Sequence, residues 1–90
     1  MESPLFGLRV DQTLDVRELG RPEDYLKAKK LLETMLEQQV LELFIGDGEP
    51  LRSIPFGLLA EGHEILVSEP ANTGVRLLVR KRPPVPADSA

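Results

Sequence analysis

Between positions 22 and 38 the apolar residues fall at helical spacing: Ala28, Leu31, Leu32, Met35 and Leu36 line one stripe, as in a helix with one buried face. Pro22 suits the first helical position, because its missing N–H would lack a partner there anyway. Glu23 and Asp24 follow where the helix dipole favours negative charge. Glu23 and Lys27, and Lys29 and Glu33, stand four apart, the spacing of ion pairs on a solvent face. The pattern predicts a helix over 22–38.

On either side the period changes to two. Leu14 and Val16 alternate with Thr13, Asp15 and Arg17, which predicts a strand over 13–17, with Leu8 and Val10 able to extend it. Val40–Ile45 is an apolar run too short for a helix and reads as a mostly buried strand. Gly46 to Pro50 carries turn chemistry at nearly every position. A second helix is predicted over 50–61, with Leu51, Ile54, Leu58 and Leu59 on one face and Gly62 as its stop. Pro55 conflicts with it, since an interior proline costs about 3 kcal/mol. The helix is therefore kinked, or it starts late with Ser53 as its cap. A third strand follows over 63–68, with Ile65 and Val67 facing one way. After a turn over 70–74 comes a fourth strand over 75–81, in which Val75, Leu77 and Val79 alternate with Arg76 and Arg80.

The order β-α-β-α-β-β predicts an α+β two-layer sandwich. Its first two strands are parallel, its last two form an antiparallel hairpin, and both helices lie on one face of a mixed four-stranded sheet. Residues 1–82 read as one domain, and the proline-rich residues 83–90 as a disordered tail. At 90 residues with 41% hydrophobic content, the chain has material for one modest core.

Composition then excludes chemistry. There is no cysteine and one histidine, so neither a thiol nor a cysteine–histidine metal site can be built. The net charge of −4 argues against nucleic acid as a partner, and Arg80-Lys81-Arg82 is too short for a phosphate-binding stripe. No apolar run approaches the roughly 20 residues that span a bilayer, and Met1-Glu2-Ser3-Pro4 is unlike a signal peptide. The chain is expected to be cytoplasmic and away from membranes, with no cofactor.

At Leu14-Asp15-Val16-Arg17-Glu18-Leu19-Gly20-Arg21-Pro22-Glu23 the sequence resembles the TusA-like (SirA-like) sulfur-carrier family. That family reads Leu-Asp-x-x-Gly-Leu-x-Cys-Pro-x-Pro at the end of its first strand. Asp47, Pro50, Ile54-Pro55-Phe56 and Gly62-His63-Glu64 continue the likeness, which covers residues 13–82. Leu14, Asp15, Leu19 and Pro22 match the motif. Glu18 replaces its glycine, Arg21 its cysteine and Asp24 its second proline. The resemblance implies a protein that meets other proteins, such as a sulfur-transfer or redox enzyme. It places the docking surface at the start of the first helix: Glu18, Arg21, Pro22, Glu23, Asp24 and Tyr25. It also implies that no residue here can accept a persulfide sulfur.

With Pro22 at the first helical position, residue 21 is the N-cap. A cysteine there has free N–H groups and the positive dipole end beside it, which favour the thiolate. Arginine reverses that charge. Arg21 reads first as a structural or exposed arginine, next as a docking contact, and last as the grip of a small-anion or metabolite site at the helix N-terminus. Glu23 and Asp24 oppose such an anion. An enzyme reading would need Asp15, Glu23 or His63 as acid or base in a shared pocket. Asp47 and Glu49 read as turn and capping residues rather than calcium ligands. Arg80, Pro83 and Pro86 match a proline-rich peptide pattern that a floppy tail also satisfies.

Overall fold

The computed structural model describes residues 9–82; the predicted tail over 83–90 and the proposed strand extension at Leu8 lie outside them. The element order is β1 (Gln12–Asp15), α1 (Glu23–Thr34), β2 (Val40–Ile45), α2 (Pro50–Ala60), β3 (Glu64–Pro70) and β4 (Val75–Arg80). The strands form one sheet in the order β1-β2-β4-β3. β1 and β2 are parallel, whereas β4 is antiparallel to both its neighbours. This is the predicted α+β sandwich.

One core explains the layering. Leu41, Leu43 and Ile45 of β2 pack with Leu77 and Val79 of β4, with Ala28 and Leu32 of α1, and with Ile54 and Leu58 of α2. The three β2 residues alternate, so they share one sheet face, and both helices therefore cover that face. Each fully buried leucine or isoleucine contributes roughly 1.5–3 kcal/mol.

α1 ends a turn earlier than its apolar stripe predicts, and Leu36 is 71% exposed. Tertiary bonds override the local preference. The Gln38 amide donates to the Lys81 carbonyl and the Lys81 amide to the Gln39 carbonyl, both at 2.8 Å. Those bonds tie the chain beside the end of β4 and require it to leave the helix, with Met35 extended and Gln38 at φ 75°. Lys81 Nζ also donates to the Leu32 carbonyl at 2.5 Å, which satisfies one of the last-turn acceptors. The anticipated Glu23–Lys27 and Lys29–Glu33 pairs do not form. Lys29 instead reaches Glu61 at 3.7 Å.

α2 starts at Pro50, so Ser53 is not its cap. The Ser53 amide already donates to the Glu49 carbonyl at 3.0 Å, and its hydroxyl reaches the same oxygen at 3.2 Å. Pro55 sits inside the helix and leaves the carbonyl of Leu51, a surface residue, without its helical donor. Gly62 closes the helix as predicted. Its φ is 94°, while its own amide donates to the Leu59 carbonyl and the His63 amide to the Leu58 carbonyl, the two bonds of a Schellman stop.

In β3 the alternation breaks. Ile65 registers with Val79 but Val67 with Leu78, with an irregularity between them. Ile65 and Val67 therefore face opposite sides, not one, because the bulge at Leu66 shifts the register by a residue. Ile65 joins the core. The sheet face away from the helices carries a polar ladder that touches every strand. Thr13 donates to Glu42 at 3.0 Å, and Arg76 donates to Glu42 at 2.6 Å and to Glu69 at 2.7 Å.

Candidate functional site at the start of the first helix

The chain leaves β1 through a turn fixed by Asp15 and Arg17. The Arg17 amide and Nε donate to Asp15 Oδ1 at 3.0 and 2.9 Å, and its Nη2 to Oδ2 at 2.6 Å. Arg17 Nη1 reaches the Thr73 carbonyl at 3.3 Å, and its guanidinium lies 5.0 Å from the centre of the Phe44 ring. These contacts lock the turn to the β3–β4 connection. The Arg17 side chain, and then its amide, hold the Asp15 carboxyl at a pKa of about 2. Asp15 is thus an ionised structural anchor, not a poised base.

Beyond that turn the chain passes exposed Glu18, Leu19 and Gly20 to Arg21 and Pro22, joined by a cis peptide bond. The helix begins at Glu23 with Pro22 as its N-cap, one residue later than predicted. The first-turn amides find partners locally. Asp24 donates to the Gly20 carbonyl at 3.1 Å and Leu26 to the Pro22 carbonyl at 3.0 Å. The Tyr25 amide donates to the Asp24 carboxylate at 2.7 Å.

The six predicted docking residues divide on this geometry. Glu18, Arg21, Pro22 and Glu23 are exposed and Tyr25 is half-buried. Asp24 is only 2% exposed. It differs from the surface acid expected of it, because its carboxylate turns back to serve the backbone of its own helix. Arg21 Nη1 lies 3.7 Å from Glu49 Oε2, a loose surface pair that joins the starts of α1 and α2. Such a pair contributes at most about 1 kcal/mol, yet it gives the arginine a direction.

Tyr25 lies between the helices, and its hydroxyl donates to the Gly57 carbonyl at 3.4 Å. Burial, then the Glu61 carboxylate, raises its pKa. Glu49, Gly57 and Glu61 thus belong to the neighbourhood although their positions in the chain do not announce it. Only Gly57, a glycine within an apolar helix, carries a local signal of close approach. Between α1 and Leu14 of β1 lies a groove of about 610 Å³, with Leu14, Leu19, Leu26 and Leu31 as its apolar lining and Glu23, Lys27 and Lys30 among its polar residues.

The residues of the enzyme reading do not converge. Asp15 is on β1 and His63 precedes β3, at opposite edges of the sheet. The His63 imidazole is held below its usual pKa by burial and by Lys81, with Glu61 opposing. Its Nδ1 accepts the Arg82 amide at 3.2 Å. Among the described residues, no three His, Asp or Glu side chains gather as a metal site, and no helix is long and apolar enough to cross a membrane.

Fold and site define a small two-layer α+β domain that presents the residue before its first helix to solvent. Residues 12–81 match the family model described as sulfurtransferase TusA, and the protein belongs to that family. It is a sulfur-trafficking-related domain, of a family whose members meet other proteins in sulfur relay, and it contains no cysteine.

Proposed function

We propose that the protein is a non-catalytic, protein-binding member of the TusA family, which docks to a sulfur-transfer or redox enzyme without carrying sulfur. The observation that carries this reading is Arg21. It occupies the family's cysteine position, is exposed, and is directed by Glu49. Glu18, Arg21, Pro22, Glu23 and the exposed part of Tyr25 form the contact surface, while Asp24 supports it from beneath. The mixed charges suit an interface that is recognised by complementary pairs and excludes wrong partners by like-charge repulsion.

The anion-holding alternative has less support. The amides of Asp24, Tyr25 and Leu26 are already bonded, Glu49 lies 3.7 Å from the guanidinium, and Glu23 stands in the first turn of the helix. An incoming anion would find three amides at the helix start engaged and two carboxylates opposing it.

Co-purification from the native host, with wild type beside Arg21→Ala and Glu18→Ala, tests the docking reading. Recovery of a sulfur-transfer or redox enzyme that both substitutions weaken supports it. Recovery of no such enzyme, or binding indifferent to both substitutions, overturns it. A thermal shift with phosphate or sulfate that Arg21→Ala abolishes would favour the alternative.

A further inference from the structure

β1 is an edge strand, paired with β2 alone among the described strands. Native proteins usually cover or block such an edge, since its free N–H and C=O groups invite another strand. Here a groove of about 610 Å³ lies between α1 and Leu14 of that strand. Leu14 of β1 and Leu31 of α1 line it, together with Leu19 and Leu26, which are 37% and 52% exposed. Lys27 and Lys30 stand along its helix side, a turn apart. Neither belongs to an ion pair among the described residues. Glu23 lines the groove as well, so two lysines stand there against one glutamate, and this local positive excess in a chain of net charge −4 marks the partner's charge as negative.

We propose that the β1 edge and this groove accept an added strand from a partner protein, with alternate side chains that are apolar and acidic on the groove side. The backbone of that segment bonds to the edge of β1 that no described strand occupies. Its apolar side chains meet Leu14, Leu19, Leu26 and Leu31, and its carboxylates reach Lys27 and Lys30. In this mode the main chain supplies affinity, and alternate side chains supply specificity. A second copy of this chain fits less well. The residues of β1 on the helix-covered side are Gln12 and Leu14, registered with Leu41 and Leu43 of the core face. Neither carries an acid to the lysines. The groove adjoins the docking surface at Glu23 but does not include Arg21, and the proposal does not depend on the docking role assigned there.

The probe is a short fluorescein-labelled peptide that alternates Thr with Val, Leu, Glu and Glu, titrated into the full chain by fluorescence anisotropy. Binding is expected to weaken about tenfold or more when Lys27→Glu and Lys30→Glu are combined, as two charge-assisted contacts are lost. A peptide with Lys in place of both Glu should then recover binding to that variant and bind the wild type poorly. Hydrogen exchange should slow in β1 on addition of the peptide, and Arg21→Ala should bind it like wild type. Equal binding by wild type and the double variant, or unchanged exchange in β1, overturns the proposal. So does self-association through β1 that outcompetes the peptide.

Discussion

The Tyr25 hydroxyl donates to the Gly57 carbonyl at 3.4 Å, and a Cβ placed on Gly57 would lie 2.6 Å from Tyr25 Cε1. The close approach of α1 and α2 therefore depends on the absence of a side chain at 57. Gly57→Ala should improve local helix propensity by about 0.8–1.0 kcal/mol. Displacement of the ring should cost more, about 1–3 kcal/mol, for a net loss of about 1 kcal/mol in urea unfolding. Tyr25 is the one tyrosine and there is no tryptophan, so ultraviolet titration reads this contact alone. In the wild type, tyrosinate should form above the ordinary value of about 10, because burial and Glu61 resist the charge. Gly57→Ala should bring it back towards 10. A wild-type transition at 10 would count against the contact.

The same raised pKa gives a sign at high pH. A group whose folded pKa exceeds its unfolded value stabilises fully below the unfolded value, and that contribution is lost as pH rises through the folded one. Two windows lie on the acid side. His63 has a lowered pKa, so its contribution is complete above about 6.5 and falls as pH drops through the folded value. Its protonation also opposes acceptance of the Arg82 amide at Nδ1. Below that, Glu42 is lowered first by its Arg76 bond, and Asp15 is held at about 2 by Arg17. Their stabilisation is complete above about 4.3 and is lost as pH falls towards 2. Thermal melts against pH should show both declines. His63→Gln should remove the upper one, and Asp15→Asn should flatten the lower. An upper decline that survives His63→Gln would refute the assignment.

Glycines at positive φ separate backbone strain from collision. Gly48 has φ 84° and open space around its missing side chain, whereas a Cβ on Gly74, at φ 85°, would lie 1.9 Å from the Ile45 carbonyl oxygen. Gly48→Ala should cost about 1–2 kcal/mol, the left-handed penalty alone. Gly74→Ala adds a clash with backbone that cannot swing aside, and about 4 kcal/mol or more is expected. Chemical denaturation of the two variants checks this. Equal costs would mean that the β3–β4 turn does not pack on the end of β2.

What the chain reveals of itself follows the range of the forces involved. Val40–Ile45 is legible because both its length and its apolar run are local. The end of α1 is not, since Lys81, more than forty residues further along the chain, dictates it. The reversal of Val67 depends on a bulge that the Ile65/Val67 alternation conceals. The helix start at 21–25 is recognisable from its motif, but the inward turn of Asp24 is not. A carboxylate after Glu23 looks like dipole complementation whether it faces water or its own backbone. Glu49 and the β1 groove appear only when distant segments are brought together.

The exchange at position 21 involves more than one side chain, and Arg21→Cys tests that directly. A helix N-terminus lowers a thiol pKa when free amides and the dipole end face the sulfur. Here the amides of Asp24, Tyr25 and Leu26 are engaged by Gly20, the Asp24 carboxylate and Pro22. The Glu49 carboxylate lies 3.7 Å from the tip of the arginine and so further from the shorter cysteine side chain, but with its partner cation removed it leaves the local field negative and opposes ionisation of the sulfur. The introduced thiol should therefore titrate near or above the ordinary value of about 8.5, followed as the pH dependence of its iodoacetamide alkylation. Combining Arg21→Cys with Glu49→Gln should lower that value, because one opposing charge is removed. An activated thiol, with a pKa of about 7 or below in the single variant, would show that the site still favours a thiolate. In that case only the sulfur has been lost. A value that stays high until Glu49 is neutralised would mean that the surface around Arg21 is arranged for a cation.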